Sequence, residues 1–297
     1  MKVEKRLLKY IAIKTPCDEN SDTVPTSQCQ FDLARILADE LKELGLDKVV
    51  LDDKCFVYGI LAATPGYENK KKLGLIAHMD TVPEFCEAEI HPVCTPDYDG
   101  CDLVLGDSGR VLTTKDFPHL KGLKGRTLIT SDGNTILGVD DKAGIAEILT
   151  MAERLLTDDT IKHGDIKIAF TPDEEIGRGA DKFNIELFGA DFAYTVDGGP
   201  FGEISYETFN AVFVEAEFKG ISVHPGTAKN IMINSQLAAM ELFSMLPTAE
   251  RPEHTEDREG FFLLISSEGI VEKTVHKYII RDHNYAMLQK RIVIISG

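Results

Sequence analysis

The sequence predicts an α/β protein: a mostly parallel sheet flanked by helices, followed by a second, smaller α+β domain. Three observations carry that prediction. Apolar runs of strand length alternate with amphipathic helical segments through the first two thirds of the chain, the rhythm of βαβ units. Near Asn210 the pattern changes to strict apolar/polar alternation, the period of a half-buried strand. At 297 residues the chain is also too long for one ordinary core and suits two. The expected domains are 1–208 and 209–297.

In chain order, the N-terminal "MKVEKRLLKYIAIKT" is interrupted by Glu4, Lys5, Arg6 and Lys9 and does not read as a leader peptide. "TSQCQFDLARILADELKELGL" places Ser27 three residues before Gln30, a capping-box spacing. It repeats Leu33, Ile36, Leu37, Leu41 and Leu44 at helical intervals up to Gly45. "KLGLIAHMD" is a short apolar run closing on His78 and Asp80. From Pro83 to Gly138 the chain carries scattered Gly, Asp and Pro with short β-like pieces, "DLVL" and "RVLTT", and reads as strand-rich excursions. "DDKAGIAEILTMAERLL" is a second amphipathic helix, and "IKIAFTPDEE" and "DFAYTVDGG" are strands ending in acids.

The smaller domain begins with the strand "NAVFVEAEFKG". The helix "NIMINSQLAAMELFSMLP" follows, with Ile233, Leu237, Met240 and Leu246 expected on its packed side. Two strands come next, turning around Ser267 to Gly269. A helix is expected over the final "YAMLQKRIVIISG", but Arg291 followed by Ile292, Val293, Ile294 and Ile295 is a β-branched run that fits a helix poorly.

A formal charge of −17 disfavours nucleic acid and anionic membrane surfaces as partners. Six cysteines, Cys17, Cys29, Cys55, Cys86, Cys94 and Cys101, show no C-x-x-C pair and read as reduced thiols of a cytoplasmic protein.

Ligands of such sheets sit at the carboxyl ends of the strands, and there the polar clusters lie. His78 and Asp80, two apart, share one face of a strand terminus, where the carboxylate can stand behind the imidazole. Asp140 and Asp141 open a helix, where acids also serve as caps. Asp173, Glu174 and Glu175 end one strand, and Asp197 ends another. So many acids at one sheet edge repel one another unless cations join them. Histidine and carboxylate donors without cysteine suit zinc, cobalt or manganese. Two ions sharing a bridging Asp, with a further carboxylate as general base, form a hydrolytic arrangement.

The ordered motifs "IAHMDTVP", "GVDDKAGIAEI", "TPDEEIGRGA", "YTVDGGPFGEISYETFNA" and "HPGTAKNIMINS" resemble the M20 metallopeptidases, and among them the tripeptide aminopeptidases, along nearly the whole chain. The resemblance implies a zinc-exopeptidase-like catalytic domain. It implies two zinc ions per subunit, with cobalt or manganese as substitutes. One ion would be held by His78, Asp140 and Asp197, the other by Asp140 and Glu175. Asp80 would orient His78, and Glu174 would be the general base. In the smaller domain His224 would stabilise the oxyanion, and Asn234 and Arg281 would meet the substrate.

The implied partners are short peptides, tripeptides above all, and a second copy of the chain paired through the smaller domain. The related activities of dipeptidase, carboxypeptidase and deacylase share this ligand pattern. The resemblance further implies a histidine that completes the second metal site from a segment following the smaller domain. His276 and His283 lie in an expected strand of that domain instead, which points to a chain shortened at its C-terminus and to a possible inactive product.

Overall fold

The computed structural model describes residues 1–86, 88–199 and 201–297; Glu87 and Pro200 lie outside the described residues. The chain divides into two units, Met1–Glu203 and Ile204–Gly297.

The first unit opens with helices α1 (Val3–Ile11) and α2 (Gln30–Glu43). Gly45, at φ +87°, ends α2 in the left-handed region that only glycine enters without cost, and the Leu46 amide donates back to the Leu41 carbonyl. The capping box does not form. The Ser27 hydroxyl donates to the Pro16 carbonyl instead, and the Gln30 amide turns to Asp173.

Strands β1 (Asp47–Leu51) and β2 (Val57–Leu61) follow as a hairpin. Its turn is closed by the Asp52 carboxylate, which accepts from the amides of Lys54 and Phe56. Next comes β3 (Leu73–His78), then the excursion, with short pieces β4 (Val93–Thr95), β5 (Leu103–Leu105), β6 (Arg110–Leu112) and β7 (Leu128–Thr130) paired β4 with β7 and β5 with β6. Helix α3 (Lys142–Thr157), strand β8 (Ile166–Thr171), the short α4 (Ile185–Phe188) and β9 (Phe192–Thr195) complete the unit.

The main sheet runs β1-β2-β8-β3-β9 and is mixed. Its β8-β3-β9 part is parallel, whereas β2 is antiparallel to both of its neighbours. The short hairpin explains the antiparallel β1-β2 pair, since so tight a turn cannot join parallel strands. On one face Ile166, Ile168 and Phe170 of β8 and Leu75 and Ala77 of β3 meet Tyr10, Leu37, Leu41, Ile145 and Leu149 of the three long helices. On the other, Ala169 packs with Phe56, Tyr58 and Phe188. With both faces covered, β8 is buried at every position, which is why it reads as an unbroken apolar run.

The second unit contains β10 (Asn210–Lys219), α5 (Ser235–Met245), β11 (Phe261–Gly269), β12 (Lys273–Asp282) and α6 (Tyr285–Ser296). Its antiparallel sheet runs β10-β12-β11, and the turn between β11 and β12 falls just after the expected Ser267 to Gly269.

Two expectations are corrected here. The apolar β-branched run is helical: Asn284 caps α6 by accepting from the amides of Ala286 and Met287, and Leu288 and Ile295 recur at helical spacing into the core with Tyr278 and Ile280. The buried Arg291, bonded to Asp282 and Gly260, anchors the same face. Tertiary packing thus outweighs the small helix penalty of β-branching. Of the stripe read as packed around α5, Leu246 is buried as expected, but Ile233, Leu237 and Met240 are exposed. Ser235, Ala239, Leu242 and Phe243 face inward instead. The helix is apolar on two sides, so periodicity alone offered two stripes and the smaller residues took the close approach to the sheet.

Candidate active site

Because β8, β3 and β9 are parallel and in register, with Leu73 opposite Ile166 and Phe192, their carboxyl ends emerge at one edge. That edge receives His78 from β3, Glu174 and Glu175 after β8, and Asp197 after β9. The N-terminus of α3 brings Asp140 and Asp141 to the same place.

His78 is the last residue of β3 and is buried. Its Nδ1 lies 3.0 Å from the Asp80 carbonyl oxygen, which can only accept, so Nδ1 carries a proton and Nε2 faces the acids. Nε2 is 3.1 Å from an Asp140 oxygen and 3.8 Å from oxygens of Glu174 and of Asp197. The Asp80 carboxylate, fully buried, stands 3.4 Å from Nδ1 and accepts from the backbone amides of Glu174 (3.0 Å) and Glu175 (3.1 Å). Asp80 therefore touches both the histidine and the backbone of the acid pair.

The strand end is braced from below. The chain at Thr15 to Cys17 runs alongside Thr81, with the Thr81 amide donating to Thr15 and the Cys17 amide to Thr81. The buried Lys142 ammonium donates to the Ile13 carbonyl, and burial lowers its pKa to about 8.

Asp140 and Asp141, joined by a cis peptide bond, point to different tasks. Both Asp141 oxygens are engaged, one by the Gly144 amide as the cap of α3 and one by the His78 amide. The Asp140 side chain is 72% exposed and faces His78 Nε2. Gly144 permits this closeness, since a Cβ there would overlap the Val196 carbonyl oxygen. Sequence reasoning had not singled out Gly144, Lys142 or Thr15; a glycine in the first turn of a helix was the one available signal.

Crowding of like charges marks the electrostatics. Burial raises the Asp141 pKa to about 8, opposed by His78 and aided by Asp197. Glu174, Glu175 and Asp197 are all raised, first by burial and then by neighbouring carboxylates. Burial acts to lower the His78 pKa, but Asp80, Asp141 and Glu174 outweigh it and bring it up to about 10. Two sets of donor atoms lie close enough to hold a cation, His78 with Asp140 and Glu175, and His78 with Asp141 and Asp197. A nitrogen and carboxylate oxygens in this crowding form a donor set for a divalent metal, which would relieve the repulsion.

Asp173 stands apart from the cluster, its carboxylate turned away toward Thr26 and Gln30. In the second unit His224 is exposed, and its Nδ1 accepts from the Gly226 amide. Asn234 caps α5 by accepting from the Gln236 amide. The Arg281 guanidinium lies 4.5 Å from the Phe209 ring centre, and its buried Nε has no hydrogen-bond partner among the described residues.

Over residues 206–293 the chain matches the family model described as "Peptidase dimerisation domain". It is 53% identical over 284 residues to "Peptidase T" of Caldanaerobacter subterraneus subsp. tengcongensis, a match covering 95% of this chain and 69% of that protein. It is also 50% identical to "Peptidase T" of Alkaliphilus oremlandii, across 94% of this chain and 69% of that one. The chain belongs to the peptidase T family. Its fold is similar to the crystal structure of aminopeptidase PepT from Bacillus cereus, with a TM-score of 0.71 at 21% identity, covering 99% of this chain and 69% of that one. The peptidase T relatives thus place the chain among peptidases of the M20 group, with a metal-competent cluster at the sheet edge.

Proposed function

We propose that the chain is a metal-dependent tripeptide aminopeptidase that removes the N-terminal residue, with the cluster around His78 as its catalytic centre. The observation that carries this reading is the convergence of one histidine and four carboxylates, His78, Asp140, Glu174, Glu175 and Asp197, at a single edge. The name shared by the relatives at about 50% identity favours tripeptides over other substrates of the group.

His78, Asp140 and Asp197 would hold one divalent ion, and Asp140 and Glu175 the other, with zinc the expected metal and cobalt or manganese able to replace it. Asp141 is a weaker candidate for a ligand than Asp140 because both of its oxygens already accept from backbone amides. When bound, the ions supply Lewis acidity toward the peptide carbonyl and acidify water.

The chain's own residues do the rest. Glu174 has a raised pKa and a carboxylate oxygen 3.8 Å from His78 Nε2, so it can take a proton at the site and pass it to the leaving amine. Asp80 fixes the height of Glu174 and Glu175 through their amides and, through its carbonyl, the tilt of His78. The roles of His224, Asn234 and Arg281 toward substrate rest on the sequence resemblance. Metal stoichiometry measured with hydrolysis of a tripeptide panel tests the reading. Two ions with turnover support it, and a protein that binds neither metal nor tripeptide ends it.

The second unit is proposed to pair with a second copy of the chain. The matched family model is one of dimerisation, and Leu237 and Met240 of α5 with Ile233 just before it are exposed apolar residues. Light scattering on Leu237→Glu should report a monomer where the native chain gives a dimer. Among the described residues no helix is long and apolar enough to cross a membrane, and we propose a cytoplasmic setting from the thiols of Cys17, Cys55, Cys94 and Cys101.

A further inference from the structure

Sequence places Asp173 with Glu174 and Glu175 as three adjacent acids, and on composition alone all three belong to the cation cluster. The structure separates them. The Asp173 carboxylate is fully buried and accepts from the Thr26 amide (2.9 and 3.1 Å), the Thr26 hydroxyl (2.5 Å) and the Gln30 side-chain amide (2.8 Å).

Its backbone sits at φ +57°, a region that Asp and Asn enter more readily than other residues carrying a Cβ. Pro172 has no N–H to continue the ladder after β8, so the strand's hold on the chain ends there. Beyond it, the Arg178 amide donates to the Asp173 carbonyl and the Gly177 amide to the Glu174 carbonyl, closing a compact turn. The acid pair is therefore gripped from two directions: by Asp80 at the Glu174 and Glu175 amides, and by Thr26 and Gln30 at the residue before them.

We propose that Asp173 is a positioning residue, not a metal ligand: by anchoring to Thr26 and Gln30 it sets where Glu174 and Glu175 stand, and so couples the entry into α2 to metal affinity. The proposal rests on the metallopeptidase reading above. Ligand atoms must be held to about 0.5 Å by supports of this kind, and loss of such a support weakens metal binding on the order of 10- to 100-fold.

Two substitutions separate positioning from ligation. Asp173→Gly keeps the left-handed backbone free of cost and removes the acceptor. Asp173→Asn keeps the shape and removes the charge. Its Oδ1 can still accept from Thr26, and Gln30 can turn so that its Oε1, which has no partner among the described residues, accepts from the new amide.

The measurement is Co2+ affinity by titration of the full chain, together with amide hydrogen exchange of the metal-free protein, at a temperature where circular dichroism shows every variant folded. Asp173→Gly should lose affinity about 10- to 100-fold and speed exchange at Thr26, Glu174 and Glu175, while Asp173→Asn stays close to wild type. Equal loss in both variants would mean the charge itself is required and would overturn positioning. So would wild-type affinity in Asp173→Gly, even with a lowered melting temperature, because that is the signature of a merely structural role. A wild-type chain that takes up no Co2+ would sink the metallopeptidase reading. The exchange arm would then decide alone, with unchanged exchange in Asp173→Gly refuting the coupling.

Discussion

Strands β8 and β9 flank β3, run parallel to it and lead into carboxylates, yet β8 is buried at all of its positions and β9 is exposed at all of its own. β8 lies between two packed layers. β9 is an edge strand whose Phe192 and Tyr194 meet each other edge to face and remain nearly half exposed. The difference shows how the site divides its needs. The loop after β8 carries the proposed base and one ligand, and it is fixed by a packed strand, by Asp80 and by Asp173. The end of β9 carries one ligand, held by the Val196 amide bonding to Ile76 and by the close approach of α3 at Gly144.

The largest expected effects contrast the two strand ends. Glu174→Gln should cut tripeptide turnover by on the order of 10²- to 10⁴-fold with metal content unchanged. Asp197→Asn should lower metal content first and turnover as a consequence. Metal analysis beside kinetics reads both. If Glu174→Gln also emptied the site, Glu174 would be a ligand, and the division of labour between the two strands would fail.

Stability should follow the same contrast. Phe170, fully buried on β8, faces the helix layer, and Phe170→Ala should destabilise by about 3–5 kcal/mol in denaturant unfolding. A loss below about 1 kcal/mol would show that β8 is not the spine of the unit.

That helix layer also carries a buried ion cluster, in which Glu40 accepts from Arg6, Lys9 and Tyr10. Burial alone would raise the Glu40 pKa, but these three bonds outweigh it and hold the carboxyl below its usual 4.5. A carboxyl lowered on folding stabilises above its unfolded value and loses that contribution as pH falls through the folded one. Glu40→Gln should therefore cost about 3 kcal/mol near neutrality, and the difference between its melting curve and that of the native chain should shrink as pH falls below 4.5 and through the lower folded value. A pH-independent difference would assign the loss to packing.

Gly144→Ala probes β9. In an exposed helix the change would stabilise by up to about 1 kcal/mol, whereas here the new methyl group would overlap the Val196 carbonyl and crowd the Asp141 carboxylate. The net effect should be a loss of about 1–3 kcal/mol, accompanied by weaker metal binding through Asp197. A stabilised variant would mean that α3 does not hold the end of β9.

Much of this was legible in the residues. The parallel core strands and the acids closing them follow from apolar runs of strand length, because burial on both faces erases alternation and leaves polar residues only at strand ends. The β1-β2 hairpin was not legible: "DKVVL" and "VYGIL" are short, and their antiparallel order comes from a turn set by one Asp52 side chain. Nor could one-dimensional pattern distinguish Asp173 from its two neighbours, or Asp140 from Asp141, since each choice depends on where amides lie in three dimensions. The α5 stripe and the helical "RIVIIS" failed for a shared reason, that an apolar residue states a wish for burial without naming which surface supplies it.

The smallest effect is the sharpest check on the contrast. Tyr194 pairs across from Leu75 on the helix-bearing face of the sheet, the same face that Phe170 occupies on β8, yet it is 48% exposed. Tyr194→Ala should therefore cost less than about 1 kcal/mol, a fraction of the Phe170→Ala loss for removal of a ring of similar size. The ratio of the two losses, measured in the same denaturant, isolates coverage from chemistry, since both residues are aromatic and both lie in strands parallel to β3. Near-equal losses would require that something in solution covers the β9 face as thoroughly as the helices cover β8.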